Sequence, residues 1–312
     1  MKRKYLLVFG YTKLHLKILE NITPVLSARG YIIVPFYESF FSFRYVARLS
    51  LVAKFFWFRI LMLLGRDISV LLPHPQQLLA NYFFYSSKVR DIFIYEDGLM
   101  NYIRVDVTGI VARQTSRKSM IAALLCYRFR RTKGYLSGCE QRIIRETFVR
   151  HPDLIFMPEM HGRITKFEFS IVRSKHLQPS IALFVDQDIE AIYSKDEAEV
   201  VREKLYSQMR DIEKVYFKPH HSYWTRGKSF DDLPPNFEML SDELKLLTAE
   251  EVAASIGVGS VWGFFSSALV NISSMLPEVK CYSCVPESHV VKAKVGDMPM
   301  SDLLARFGVQ KI

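Results

Sequence analysis

Short apolar runs alternate with helix-patterned segments along this chain, and that alternation limits the possible folds more than any other feature. In the first half, apolar runs at 5–9, 31–35, 68–72 and 92–95 predict strands. Segments at 15–26, 41–64 and 76–85 place apolar residues at helical spacing. A strand that is followed by a helix and another strand builds a parallel sheet, so the first half predicts a doubly wound α/β domain.

The same pattern begins again after a polar, less regular segment at 158–179. Runs at 181–185, 215–218 and 280–285 predict strands, and 194–211, 248–254 and 266–273 predict helices. We therefore predict an α/β chain with two Rossmann-type, doubly wound parallel-sheet domains facing a central cleft, at 1–165 and 166–312. A C-terminal helix at 300–312 could pack back on the first domain.

Composition predicts a globular protein of a reducing compartment. The chain has 312 residues, of which 49% are hydrophobic, so it can bury a sizeable core. No secretory leader is recognisable, and the longest apolar run, 49–64, is shorter than a spanning helix and contains Lys54 and Arg59. We expect a cytoplasmic location. The chain has four cysteines, which are too few for a disulfide framework: Cys126, Cys139, Cys281 and Cys284. We expect Cys281 and Cys284 to be buried and to have a structural role.

Positive charge is concentrated in one part of the chain. The net charge is +10, and no acid occurs between Asp106 and Glu140. This acid-free segment holds seven basic residues around an apolar stretch at 120–127: Arg113, Arg117, Lys118, Arg128, Arg130, Arg131 and Lys133. Two interpretations stay open, a solvated basic helix face and an anchor for an anionic membrane surface. A nucleic-acid partner is disfavoured because no helix-turn-helix, RNP or zinc-finger pattern accompanies the charge.

Three polar motifs follow predicted strands or turns, where doubly wound sheets bind ligands. In the first, the strand at 92–95 ends in Glu96, Asp97 and Gly98. Adjacent strand residues point to opposite faces, so only one of the acids can face a given substrate atom. The other can hold the turn, which Gly98 permits by accepting a positive φ. The alternative is an ordinary turn with solvated acids.

The other two motifs belong to the second predicted domain. The strand at 215–218 runs into Pro219, His220 and His221, where a histidine could protonate or hydrogen-bond a leaving phosphate, or could simply be exposed. Gly263 precedes Ser266 and Ser267 at a predicted helix start. Such a helix start could bind an anion through backbone N–H groups, or the serine could only cap the helix.

Together the three motifs resemble those of the bacterial sialyltransferases of glycosyltransferase family 52 and the related capsule polysialyltransferases of family 38. The shared signatures are an acid-acid-Gly motif, then a His-Pro motif, then a serine pair. The resemblance covers nearly the whole chain, including the segments 72–75, 79–82 and 303–308. One departure is plain: His221 stands where the family has a proline after the motif histidine.

The resemblance implies a GT-B-like, inverting, metal-independent sialyltransferase that needs no cofactor. It would move sialic acid from CMP-sialic acid to a galactoside- or sialoside-terminated acceptor of lipooligosaccharide or capsular polysaccharide. The implied catalytic residues are Glu96 as general base, Asp97 in support of the turn, and His220 at the departing phosphate. The implied donor-binding residues are Gly98, Gln187, Lys218, Pro219, His221, Ser266 and Ser267. The implied acceptor-binding residues are His74, Asn81 and Asn101.

Three alternatives remain. Asp186 and Asp188 follow an apolar run and imitate the Asp-x-Asp metal site of a GT-A transferase that uses a UDP or GDP sugar, although Glu96 and His220 would then lack a role. The donor could instead carry another CMP-activated nonulosonic acid. A non-catalytic regulator or membrane-associated scaffold could also keep the fold, but the intact motif set argues against it.

Overall fold

A computed structural model describes residues 3–37, 45–105, 112–135, 137–170, 176–220 and 233–312. The chain divides into two compact units, Met1–Glu168 and Phe169–Ile312. Each unit is an α/β layer structure built on its own six-stranded sheet.

The first unit is a parallel sheet with the strand order β2-β1-β3-β4-β5-β6. Its strands are β1 (Lys4–Gly10), β2 (Tyr31–Tyr37), β3 (Asp67–Leu72), β4 (Ile92–Tyr95), β5 (Glu146–Val149) and β6 (Arg163–Lys166). Its helices are α1 (Lys13–Ala28), α2 (Tyr45–Leu63), α3 (Leu78–Tyr85) and α4 (Ala112–Leu124). This is the order of flavodoxin-like sheets, in which successive strands are added on one side of β1 and then, from β3 onward, on the other side. The carboxyl ends of those two strands are therefore where a ligand site is expected.

Aromatic side chains hold α2 and α3 against this sheet. The rings of Phe9 and Phe36 lie 5.1 Å apart, and Phe83 of α3 packs 5.6 Å from Phe55 of α2. All four side chains are fully buried. Burial of large aromatic rings contributes strongly to a core, so this cluster fixes both helices on the sheet.

The second unit is a parallel sheet with the order β14-β11-β10-β7-β8-β9. Its strands are β7 (Gln178–Val185), β8 (Lys214–Lys218), β9 (Phe237–Met239), β10 (Val258–Gly263), β11 (Lys280–Ser283) and β14 (Gln310–Lys311), and β12 (Val290–Ala293) and β13 (Gly296–Pro299) form a separate antiparallel pair. Its helices are α5 (Lys195–Gln208), α6 (Asp242–Lys245), α7 (Ala249–Ile256), α8 (Ser267–Met275) and α9 (Met300–Ala305). The order is that of the Rossmann fold, with its reversal between β7 and β10.

Local sequence signals explain the ends of the helices in the second unit. Ser194 and Glu197 form a capping box at the start of α5, and Thr248 and Glu251 form another at the start of α7. Gly257 ends α7 with φ 75°, a left-handed conformation that glycine adopts without steric cost.

The predicted fold class of two doubly wound, GT-B-like parallel-sheet units is confirmed, and it disfavours the GT-A alternative. The last residues, 300–312, lie in the second unit, where β14 joins the sheet. Cys281 and Cys284 are buried and free, and burial raises the pKa of the Cys281 thiol to about 12, in keeping with a structural role. Within the described ranges, no helix is long and apolar enough to cross a membrane.

Seven of the described strands were not predicted from the sequence: β5, β6, β9, β10, β12, β13 and β14. The central strand β10 contains Gly259, and a Cβ at that position would lie 2.6 Å from the Cα of Pro179 in β7. Glycine is therefore required for the close approach of two backbones, although in a sequence it is typical of a turn. β5 and β6 are short and carry polar residues, Glu146 and Thr147 among them, which hides their strand character.

Candidate active site

Three polar side chains meet at the edge of the first sheet, at the point where the strand order reverses between β1 and β3. Asp97 follows β4, His74 follows β3, and His15 lies in the first turn of α1, directly after β1. The carboxyl ends of parallel strands share one edge of a sheet, which explains how residues far apart in sequence come together. His74 and Asp97 were predicted as site residues, whereas His15 was not.

The Asp97 carboxylate lies between the two imidazole rings. His15 Nε2 is 2.9 Å from Asp97 Oδ1, and His74 Nε2 is 3.5 Å from Oδ2. The Nδ1 atom of His15 accepts the backbone N–H of Tyr11 at 3.2 Å, and that of His74 accepts the N–H of Gln76, also at 3.2 Å. A backbone amide can only donate, so each neutral ring carries its proton on Nε2, directed at Asp97. We call these three side chains the Asp97 cluster.

The cluster keeps Asp97 ionised. Burial alone would raise its pKa, but the hydrogen bond from His15 and the neighbouring imidazoles outweigh burial, and the pKa of Asp97 falls below its usual value. Burial lowers the pKa of His74 to about 4, so this ring is neutral at neutral pH. We therefore attribute the lowered pKa of Asp97 chiefly to His15. The Asp97 side chain is 22% exposed, which leaves it accessible to a substrate.

The turn after β4 fixes where the carboxylate points. Gly98 has φ 66°, as the acid-acid-Gly motif predicted. The side-chain oxygen of Asn101 accepts the backbone N–H of Asp97 at 2.5 Å, and Asn101 is only 2% exposed. Asn101, predicted to contact the acceptor, instead holds the turn.

Glu96 occupies a different environment from its neighbour. It is fully buried and accepts the hydroxyl of Tyr102 at 2.6 Å and the backbone N–H of Arg150 at 2.8 Å. The Nε and Nη2 atoms of Arg150 both donate to the other oxygen of this carboxylate, Oε1, and complete a buried ion pair. A carboxylate enclosed in this way cannot reach an acceptor hydroxyl, so the geometry contradicts the prediction that Glu96 is the base and Asp97 its support.

Asn81 is also structural. Its amide nitrogen donates to the carbonyls of Pro75 at 2.9 Å and Arg130 at 2.8 Å, and its oxygen accepts the N–H of Arg130 at 2.9 Å. The side chain is 1% exposed. Both amide hydrogens are used inside the unit, which contradicts the predicted contact with an acceptor.

In the second unit, three predicted donor residues lie at the point where the strand order of the sheet reverses, between β7 and β10. Gln187 follows β7, and its side-chain oxygen accepts the backbone N–H of Phe265, which follows β10, at 2.8 Å. Ser266 is the N-cap of α8 and accepts the N–H of Ala268 at 3.2 Å, and Ser267 is the first helical residue. The hydroxyl proton of Ser266 stays available for an anion at this helix start.

The segment after β8 contains the remaining predicted residues. Lys218 Nζ donates to the carbonyls of Lys245 at 3.1 Å and Leu247 at 2.7 Å, so its ammonium group holds a neighbouring loop. The contact of Lys218 with the donor stays a prediction. Pro219 is buried and His220 is half-buried at the end of the strand. His221 lies outside the described residues.

The Asp-x-Asp segment has its own local role. Asp186 is 6% exposed, and its carboxylate accepts the N–H of Gln187 at 2.8 Å. Asp188 precedes a short 3-10 helix, Ile189–Ala191. Among the residues with described positions, no group of three or more His, Cys, Asp and Glu side chains could hold a metal ion.

Two residues of the first unit were missed from the sequence. Arg150 gave no signal because the polar strand before it was not recognised. His15 carried a weak signal, since Thr12 caps α1 by accepting the N–H of His15 and thereby places it in the first βα turn. That turn is a common ligand position in doubly wound sheets.

Comparison with known families agrees with these motifs. A family model for alpha-2,8-polysialyltransferase (POLYST) matches residues 57–285, which is most of the chain. The chain belongs to this polysialyltransferase family. It is therefore a glycosyltransferase of the sialyltransferase group, and the matched region includes Asp97, His220 and the serine pair.

The chain is also similar to several solved structures of low sequence identity. The glycotransferase of kitacinnamycin is 11% identical with a TM-score of 0.46, covering 100% of this chain and 87% of that one. The glycosyltransferase SnogD from Streptomyces nogalater is 10% identical with a TM-score of 0.42, covering 100% and 86%. A putative UDP-N-acetylglucosamine 2-epimerase from Listeria monocytogenes is 8% identical with a TM-score of 0.47, covering 91% and 79%. None of the curated proteins compared with the sequence matches it.

Proposed function

We propose that this glycosyltransferase moves sialic acid from CMP-sialic acid to a hydroxyl group of a glycan, with inversion at the anomeric carbon, no metal ion and no cofactor, and with Asp97 as general base. The observation that carries the proposal is the Asp97 cluster, in a chain of the polysialyltransferase family. Asp97 is partly exposed and ionised, and it is held by His15 at the edge of the sheet where ligands bind. The alternative base, Glu96, is enclosed by Arg150 and Tyr102.

In the proposed reaction Asp97 accepts the proton of the attacking hydroxyl while that oxygen bonds to the anomeric carbon of the sialyl group. The bond from this carbon to the phosphate oxygen of CMP breaks, and the electron pair leaves with CMP. His15 donates to Oδ1 and leaves Oδ2, which is near the more exposed His74, for the acceptor hydroxyl. Because the transition state resembles a cation, an ionised base beside it also stabilises charge.

The second unit supplies groups for the departing phosphate. Negative charge grows on the phosphate as the bond breaks, so hydrogen-bond donors placed around it lower the barrier. The N-terminus of α8 with Ser266 and Ser267 offers such donors, and His220 could add a charge-assisted hydrogen bond. Gln187 is assigned a positioning role, because its side chain holds the backbone that leads into α8.

The acceptor is proposed to be a galactoside- or sialoside-terminated glycan of lipooligosaccharide or capsular polysaccharide. A lipid-linked acceptor is consistent with a cytoplasmic enzyme that works on the inner face of the plasma membrane. A different CMP-activated nonulosonic acid remains the alternative donor, since the Asp97 cluster would activate an acceptor hydroxyl equally well for either.

The test is product analysis with CMP-activated donors, galactosides and oligosialic acids, using the wild type and Asp97→Asn. The asparagine keeps the shape and removes the basicity, so transfer should fall by roughly 10²-fold or more. CMP binding should be kept. Near-normal transfer by Asp97→Asn would refute its role as base, and transfer from a UDP or GDP sugar that EDTA abolishes would refute the donor class.

A further inference from the structure

Helix α2 carries large apolar side chains on its outer surface. These exposed side chains are at helical spacing, with the last one directly after the helix: Leu49, Phe56, Trp57, Ile60, Leu63 and Leu64. Trp57 is 57% exposed and Leu63 is 69% exposed. The exposed positions between them are Ser50 and Ala53, so this surface, which we call the outer stripe, contains no charged residue. A helix on a soluble domain usually has a polar outer face, whereas α2 is apolar on both sides.

A groove with strongly positive walls borders the outer stripe. It has a volume of about 1460 Å³ and is formed by α2, α3, α4 and the segment after α4. Among its described lining residues there is no acid, and we call it the basic groove. Its cations are Arg59, Lys88, Arg128, Arg130, Arg131, Lys133 and Arg142.

The outer stripe and the basic groove form one continuous face. Leu63 belongs to the stripe and also lines the groove. Arg59 donates to the carbonyls of Leu125 at 2.7 Å and Cys126 at 3.1 Å, which ties α2 to the end of α4. On α4, Leu124 is 77% exposed. The apolar side chains of two neighbouring helices thus lie at the edge of the groove.

We propose that this face docks on a lipid bilayer that contains anionic lipids. The outer stripe would enter the headgroup region, with α2 lying parallel to the surface. The basic groove would take the phosphates of lipid headgroups. A contiguous exposed apolar surface rimmed by charge marks an interaction site, and an interfacial helix with Trp and Phe on its apolar side is the usual form of surface attachment.

Charge favours a bilayer over a second copy of the chain. A symmetric dimer through the outer stripe would bring the basic grooves of both copies close together, and the like charges would repel. An anionic bilayer has the opposite charge and an apolar interior, so it complements both parts of the face. The proposal does not rest on the transferase reaction, because it concerns residues outside the Asp97 cluster.

Flotation of the full-length protein with vesicles tests the proposal. The probes are phosphatidylcholine alone and phosphatidylcholine mixed with phosphatidylglycerol, each at low and high salt. The basic variant changes three exposed groove residues to Gln: Arg128, Arg131 and Lys133. The matched control removes the same charge from exposed residues of the second unit: Lys195, Lys280 and Lys292.

We expect the wild type and the control to float with anionic vesicles only, and salt to weaken the binding. Each cation near an anionic surface contributes about fivefold to binding, so the basic variant should bind about 100-fold more weakly. A second variant, Trp57→Gln with Ile60→Gln, should weaken binding at both salt concentrations because it removes apolar contacts. Both changes lie on the exposed surface, and thermal unfolding checks that each variant is folded.

Cys126 offers an independent readout, since it is the exposed cysteine while Cys139, Cys281 and Cys284 are buried. A polarity-sensitive dye on Cys126, beside the groove, should shift to shorter wavelength on anionic vesicles. Equal binding to neutral and anionic vesicles, equal binding by the basic variant and the control, or a dimer that Trp57→Gln with Ile60→Gln disrupts would each overturn the proposal. Transfer to a soluble acceptor should be retained in all variants, so a failure here is separable from a failure of the proposed function.

Discussion

At the residue scale, Glu96 and Asp97 show how two adjacent acids take opposite roles. Glu96 forms a buried ion pair with Arg150 inside the first unit, while Asp97 accepts a hydrogen bond from His15 and remains partly exposed. Both residues follow β4, where the chain directs the Glu96 side chain into the unit and leaves that of Asp97 partly exposed.

His15 is expected to tune the base. His15→Ala removes a hydrogen bond to a charged group, which is worth about 1.5–3 kcal/mol, so kcat should fall by roughly 10- to 100-fold. The pKa of Asp97 should rise, and because the ionised form is the active one, the acidic limb of the kcat/KM profile should move to higher pH. Stopped assays from roughly pH 4 to pH 8, a range chosen for the usual pKa values of Asp and His side chains, would measure this effect.

His15→Gln is the matched variant, since its amide nitrogen can donate to Asp97 much as Nε2 does. It should restore most of the activity and the position of the acidic limb. If His15→Ala left the pH profile unchanged and only lowered the stability, His15 would be a structural residue.

Glu96 is expected to stabilise the fold rather than to act on substrate. Glu96→Gln leaves Arg150 without its counter-charge, and breaking a buried ion pair in this way costs about 3–5 kcal/mol. Urea unfolding should show that loss. The folded fraction at low temperature should keep kcat within about tenfold of the wild type, and a loss comparable to that of Asp97→Asn would return the base to Glu96.

At the scale of elements, the strands that the sequence predicted are those with uninterrupted apolar runs, such as β1, β3, β4 and β7. β10 was missed because Gly259, which lets it approach β7, is typical of a turn in sequence. The candidate site was only partly predictable, because some of its residues depend on strands that the sequence did not reveal. The acid motif follows a recognisable strand and the serine pair begins a recognisable helix. The ion pair of Glu96, however, depends on Arg150 after the unrecognised β5, and no local pattern reveals such a partner.

Helix α8 is expected to bind the donor phosphate through its N-terminus. Ser266→Asp keeps a good N-cap and adds negative charge, so stability should change little while the KM for the CMP donor rises. Ser266→Ala should cost about 1 kcal/mol of stability, because it removes the cap. Thermal unfolding and donor kinetics of the two variants separate these effects, and an unchanged donor KM in Ser266→Asp would exclude a phosphate at this helix.

At the scale of the whole molecule, the proposed function assigns acceptor activation to the first unit and donor binding to the second. CMP should therefore raise the Tm of Asp97→Asn as much as that of the wild type. It should raise the Tm of Ser266→Asp much less, because a ligand stabilises a protein in proportion to its affinity for the folded state. Equal protection of both variants by CMP would contradict this division.

The two sheet orders also bear on the ancestry of the molecule. Tandem duplication of a single gene segment yields halves with the same strand order. Here the first sheet has the order β2-β1-β3-β4-β5-β6, whereas the second has the order β9-β8-β7-β10-β11-β14. Converting one order into the other would require a strand to cross to the opposite edge of its neighbour. The strand orders therefore give no sign of an internal duplication.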